Sequence, residues 1–156
     1  MSKNDPDFIH QLAVDAYGAQ HLGGVTRSIT TAFALIGLYL SVECGYTGKQ
    51  VQKAHMELAK RRHDWPRFEP PHQTYSLTVF DVLRAEPGKK RDEMLKAWAE
   101  EVWKSWEHYH DWVRTFCHQW LHRSLFVFST FGCGLFSVFL HKKASKFSIF
   151  IPSGKI

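Results

Sequence analysis

The sequence runs out of acid early: Asp111 is the last of 15 Asp and Glu in 156 residues. Up to that point the chain nets −1. Beyond it Arg114, Arg123, Lys142, Lys143, Lys146 and Lys155 stand alone, a net of +6, so the overall charge of +5 belongs to the C-terminal part. A nucleic-acid-binding body shows a basic face, and a body this close to neutral makes nucleic acid an unexpected partner for it. Cysteine is scarce as well. Cys44, Cys117 and Cys133 are odd in number and lack C-x-x-C spacing, which argues against a disulfide framework or a zinc knuckle and predicts a reducing, cytoplasmic setting. The opening MSKNDPDF is polar and acidic where a secretory leader is apolar. No G-x-S-x-G, Gly-rich phosphate loop or dinucleotide fingerprint occurs, which removes the commonest hydrolase and nucleotide-binding signatures. Strand signals are missing before residue 125, and no internal repeat is found.

Aromatic residues, by contrast, are plentiful: twelve Phe, six Trp and five Tyr. They predict a tightly filled core or an aromatic-lined cavity. Helical signals dominate the first 124 residues. Asn4 or Asp5 can cap a first helix with Pro6 at N1, stopped by Gly23-Gly24. The segment from about Thr26 to Glu43 carries no charge between Ser28 and Val42. Too short for a bilayer span of roughly 20 residues, it reads as the central core helix. Thr47-Gly48-Lys49-Gln50 has capping-box form and opens a third helix to about His63. WPRFEPPHQ (65–73) is a proline-broken loop. A short helix from Ser76 or Thr78 runs to Leu83, and a long one begins near Lys89. Its stripe Leu95, Trp98, Val102, Trp106, Tyr109, Val113, Phe116 and Trp120 steps by three or four throughout. The expectation is an all-α fold, a small bundle of four to five helices over residues 1–124.

Residues 125–156 break the pattern with a 16-residue uncharged run, LFVFSTFGCGLFSVFL, followed by a basic end. Three readings stand side by side: a short membrane anchor confined to 125–140, a strand hairpin packed on the bundle, or a non-native extension. The abrupt compositional change favours the last.

Candidate chemistry centres on histidine. His10 and His21 share a stripe of the first helix but lie roughly 16 Å apart along its axis, whereas zinc sits about 2 Å from each ligand nitrogen. Asp15 points roughly 140° away from His10. The first helix therefore cannot build a site alone, and local accounts exist: His21 in a favourable last turn, Asp15 solvated, His10 partly buried. Bundles do build metal sites from facing helices. His10 or His21 with Glu43, His55 (on the inward stripe of the third helix) and His110 would form a nitrogen–oxygen set suited to zinc or another divalent ion. His118 and His122 have i, i+4 spacing without the Glu of a zinc-protease helix.

The stretches F-I-H-Q-x-x-V-D-A-Y-x-A-Q-H and F-A-L-I-G-L-Y-L-x-V-E-x-G-Y-T-G-x-Q-V-Q-x-A-H-M-x-L-A, followed by a Trp-rich helix, resemble a family of uncharacterised bacterial helical proteins, the domain of unknown function numbered five-nine-four-six. The resemblance covers about residues 5–115 and leaves the tail unmatched. It implies a bacterial cytosolic helical protein and brings no activity. It also implies that the polar residues at matching positions line a pocket: His10, Gln11, Asp15, Tyr17, Gln20, His21, Glu43, Gln52 and His55. The leading expectation is a histidine-lined pocket holding a divalent metal such as zinc. As an enzyme, such a protein would be a metal-assisted hydrolase or transferase with Asp15 or Glu43 as base. The alternative is a non-catalytic helical interaction or structural protein without metal. A homodimer is compatible with either.

Overall fold

The computed structural model describes residues 6–21 and 28–125. The chain is all-α: among the described residues there are six α-helices and no strand. They are α1 (Pro6–His21), α2 (Ser28–Leu38), α3 (Gly48–Ala59), α4 (Val79–Arg84), α5 (Lys89–Ser105) and α6 (His110–Leu125). The three readings of the segment after residue 125 fall outside the described residues.

The uncharged α2 is the core helix. Thr31, Ala32 and every residue from Ala34 to Leu38 are buried, because α2 packs against α1, α3, α5 and α6. It ends in a π-helical turn, Tyr39–Glu43. There the Cys44 N–H reaches back to the Tyr39 carbonyl, and Gly45, at φ 66°, turns the chain out of the helix. No helix among the described residues is long and apolar enough to cross a membrane.

The capping box at the start of α3 forms as expected. The Thr47 N–H donates to Gln50 Oε1 at 2.8 Å, and the Gln50 N–H donates back to Thr47 Oγ1. The helix ends at Ala59, short of His63: the Lys60 and Arg61 N–H groups close the last turn onto the Leu58 carbonyl, and the His63 ring turns back and donates Nε2–H to the same oxygen at 2.9 Å.

The single long helix expected after Lys89 is two helices. Ser105 Oγ donates to the Val102 carbonyl at 2.7 Å, competing with the helical ladder. A 3-10 turn, Glu107–Tyr109, then leads into α6. At the same break Tyr109 Oη accepts the Glu69 N–H, and Tyr75 Oη pairs with Ser105 Oγ, so the 65–75 loop is bound to the junction. Phe68 packs there against Trp106, Tyr109 and Trp112. The apolar stripe runs through unbroken because a tight turn changes helical phase little per residue.

Candidate functional site

Asp15 is the most perturbed of the predicted polar residues. Its position on α1 directs it into the α1–α2 interface, where it is only 4 % exposed. The carboxyl lies directly against Gly37 of α2, in the space a Cβ would fill. Here glycine is required by close approach rather than by its own dihedral freedom. Gln11, one turn earlier, donates Nε2–H to both carboxyl oxygens at 3.0 and 3.1 Å. Burial raises the Asp15 pKa to about 8, with the Gln11 bond working the other way. The local account of a solvated Asp15 is corrected: the side chain is sealed between two helices. His10, expected to be partly buried, is exposed.

Gln20 acts as a clasp. Its Oε1 accepts the Trp98 indole N–H at 3.0 Å, and its Nε2 donates to the Leu77 carbonyl at 2.8 Å, joining α1, α5 and the segment before α4. Glu43, carried outward by the π turn, accepts the Trp103 indole N–H at 2.9 Å and Arg114 Nη2 and Nε at 2.7 and 3.0 Å. Burial would push its carboxyl up, but the Arg114 and Trp103 bonds outweigh it and hold the group below the usual carboxylate range. His110 stacks on the Trp103 ring at 3.7 Å and donates Nε2–H to the Trp103 carbonyl.

His55 sits partly buried on α3 with its ring 5.1 Å from that of Phe33 on α2. Burial lowers its pKa to about 4, a hydrogen bond with the Phe33 backbone offsetting part of this. Its Nε2 is buried with no hydrogen-bond partner. His21 is exposed, stacks on Tyr17 and bonds through Nδ1 to the Tyr17 carbonyl at 3.1 Å. Gln52 and His118 are exposed; the His122 side chain lies outside the described residues.

The structure brings Gln11 to Asp15, Tyr17 to His21 and His110 to Glu43, while Gln20, His55 and the exposed His10 occupy separate places. Among the described residues no three His, Cys, Asp or Glu side chains form a group able to hold a metal ion. Two open clefts of about 350 and 560 Å³ are lined by other residues, the first by Glu69, His72 and His108, the second by Glu100, Glu101 and Ser105 among others. Arg114 and Trp103 were missed by sequence reasoning because their link to Glu43 spans 71 and 60 residues. The basic charge of Arg114, placed just after the last acid, was the one available hint.

Neither the curated proteins nor the solved structures searched contain a match to this chain. A family profile does match, over residues 1–107, and leaves the C-terminal part unmatched. The chain belongs to that family, DUF5946, a family of unknown function.

Proposed function

We propose that the chain is a non-catalytic helical interaction protein. The observation that carries this reading is a set of large apolar side chains on outward faces: Phe80 and Leu83 of α4 are 65 % and 59 % exposed, and Val14 and Tyr17 of α1 are each 50 % exposed. Exposed apolar side chains three residues apart on a helix face, as Phe80 and Leu83 or Val14 and Tyr17 are, suit contact with another polypeptide. The carboxylates that a catalytic reading needs are engaged in the framework, Asp15 between helices and Glu43 with Arg114 and Trp103. Cys44 and Cys117 are not joined in a disulfide, and burial pushes the Cys117 thiol pKa up, which suits the cytoplasmic setting expected from the sequence.

Photo-crosslinking tests the proposal. A photoreactive residue at Phe80 should give a discrete protein adduct in cells, and the same residue at the exposed polar Glu93 should not. Equal labelling at both positions, or none at either, would overturn it.

One observation favours a second reading, a divalent-metal site in a histidine-lined pocket. The neutral His55 imidazole with an unpartnered Nε2 is in the metal-ligating form. As an enzyme this would be a metal-assisted hydrolase or transferase with Asp15 or Glu43 as base. Elemental analysis of native protein and of His55→Ala separates the two: stoichiometric metal lost in the variant supports the pocket.

A further inference from the structure

The outward face of α1 carries a palindrome. His10, Val14, Tyr17 and His21 are all exposed, and at 100° per residue they fall within a sector about 60° wide. Their spacings of four, three and four are symmetric about the midpoint between Asp15 and Ala16. Turned end for end, the stripe presents histidine opposite histidine, and valine opposite tyrosine.

We propose that α1 is a metal-dependent dimerisation helix. Two chains pair α1 antiparallel, and each of two divalent cations is held between His10 of one chain and the partner's His21. The proposal rests on the interaction reading above and names the partner as a second copy. One chain cannot bind the ion by itself, since its two histidines stand roughly 16 Å apart along the axis. In the antiparallel pair they come to the same height on helices about 8–10 Å apart. One ion with metal–nitrogen bonds of about 2 Å can join imidazoles reaching across that gap.

A second observation points to a ligand. The Tyr17 carbonyl can only accept, so the 3.1 Å bond from His21 Nδ1 places the ring proton on Nδ1. In that tautomer Nε2 is the nitrogen available to a metal, and the ring is fixed by stacking on Tyr17 at 4.2 Å. A backbone carbonyl that orients the non-ligating nitrogen is the usual outer support of a metal-bound histidine. Imidazole ligands without thiolates suit zinc, nickel or copper(II), with water completing the shell.

Size explains why metal is needed. Four side chains on one helix cover far less than the roughly 800 Å² per partner of a standard stable interface. Val14 against the partner's Tyr17 fits small to large and fixes register, but it does not hold two chains together alone. Opposed helix dipoles favour the antiparallel sense.

The experiment is sedimentation velocity on the full chain with zinc or with chelator, using wild type, His10→Ala, His21→Ala and an equimolar mixture of the two variants. Wild type should be monomeric with chelator and dimeric with zinc, at one ion per chain. Each variant alone has no complete site and should stay monomeric. The mixture should regain dimer at one ion per pair, because His21 of one variant faces His10 of the other. A wild-type monomer at saturating zinc overturns the proposal, as does a zinc dimer that both variants retain. Variants that dimerise singly while their mixture gains nothing indicate parallel pairing and overturn the register. Because both histidines are exposed, far-UV circular dichroism of the variants should match wild type. Loss of the zinc dimer leaves the Phe80 crosslinks unaffected, so the two readings fail separately.

Discussion

Between pH 6.5 and 8 this domain should lose stability, and Asp15 is the cause. Its folded pKa of about 8 stands above the ordinary aspartate value of 3.8 because the carboxyl is buried between α1 and α2. A raised folded pKa means that stability is complete below the unfolded value and declines as pH rises toward the folded one. Each pH unit in that interval is worth about 1.4 kcal/mol. His55 works the other way. Its folded pKa of about 4 lies below 6.5, so its contribution is present above pH 6.5 and is lost as pH falls toward 4. From pH 4 to 6.5 the two slopes oppose and the net profile should be nearly flat. From 6.5 to 8 only Asp15 remains, and the loss should be on the order of 2 kcal/mol, a sizeable share of a typical 5–15 kcal/mol. The measurement is urea denaturation followed by tryptophan fluorescence at half-unit pH intervals. Asp15→Asn keeps the shape and removes the charge. Its profile should rise to pH 6.5 and then stay level, crossing that of wild type so that the variant is the more stable protein at pH 8. Parallel profiles for the two proteins above pH 6.5 would refute the reasoning.

Other consequences are open to the same denaturation assay. Gly37→Ala places a methyl group where the Asp15 carboxyl lies and should cost about 1–3 kcal/mol, with much of the loss recovered when Asp15→Ala is added; strictly additive effects would contradict the contact. Gln20→Leu leaves the Trp98 indole N–H and the Leu77 carbonyl without their partner and should cost about 1–3 kcal/mol for each group left buried; an unchanged midpoint would show that water replaces the clasp. A chain ending at His122 retains Leu121, the last buried core residue described. It should keep its helical signal and melting temperature and be more soluble than the full chain, and unfolding on truncation would make the C-terminal segment part of the core.

Features that depend on near neighbours were legible from the residues alone. Thr47 and Gln50 are three apart and find each other in any helix that starts there, so the capping box could be read directly. The uncharged run of α2, too short to span a bilayer, had nowhere to lie but the core. Gly37 leaves room for a close approach, and only the packed helices show that the Asp15 carboxyl is what approaches. Period alone could not locate the break at Ser105, because a side-chain hydroxyl bonding to its own backbone leaves the apolar stripe intact. The polar residues were recognisable as a set, while their partners were not: Gln20 meets Trp98 across 78 residues and Glu43 meets Arg114 across 71. Asp15 makes the division plainest. Its place on one turn of α1 was fixed by sequence, but whether that face met water or α2 depended on how two helices packed, and that packing set whether the carboxyl kept its charge. Helical phase is a local property of the chain, whereas burial and the electrostatics that follow from it belong to the assembled bundle.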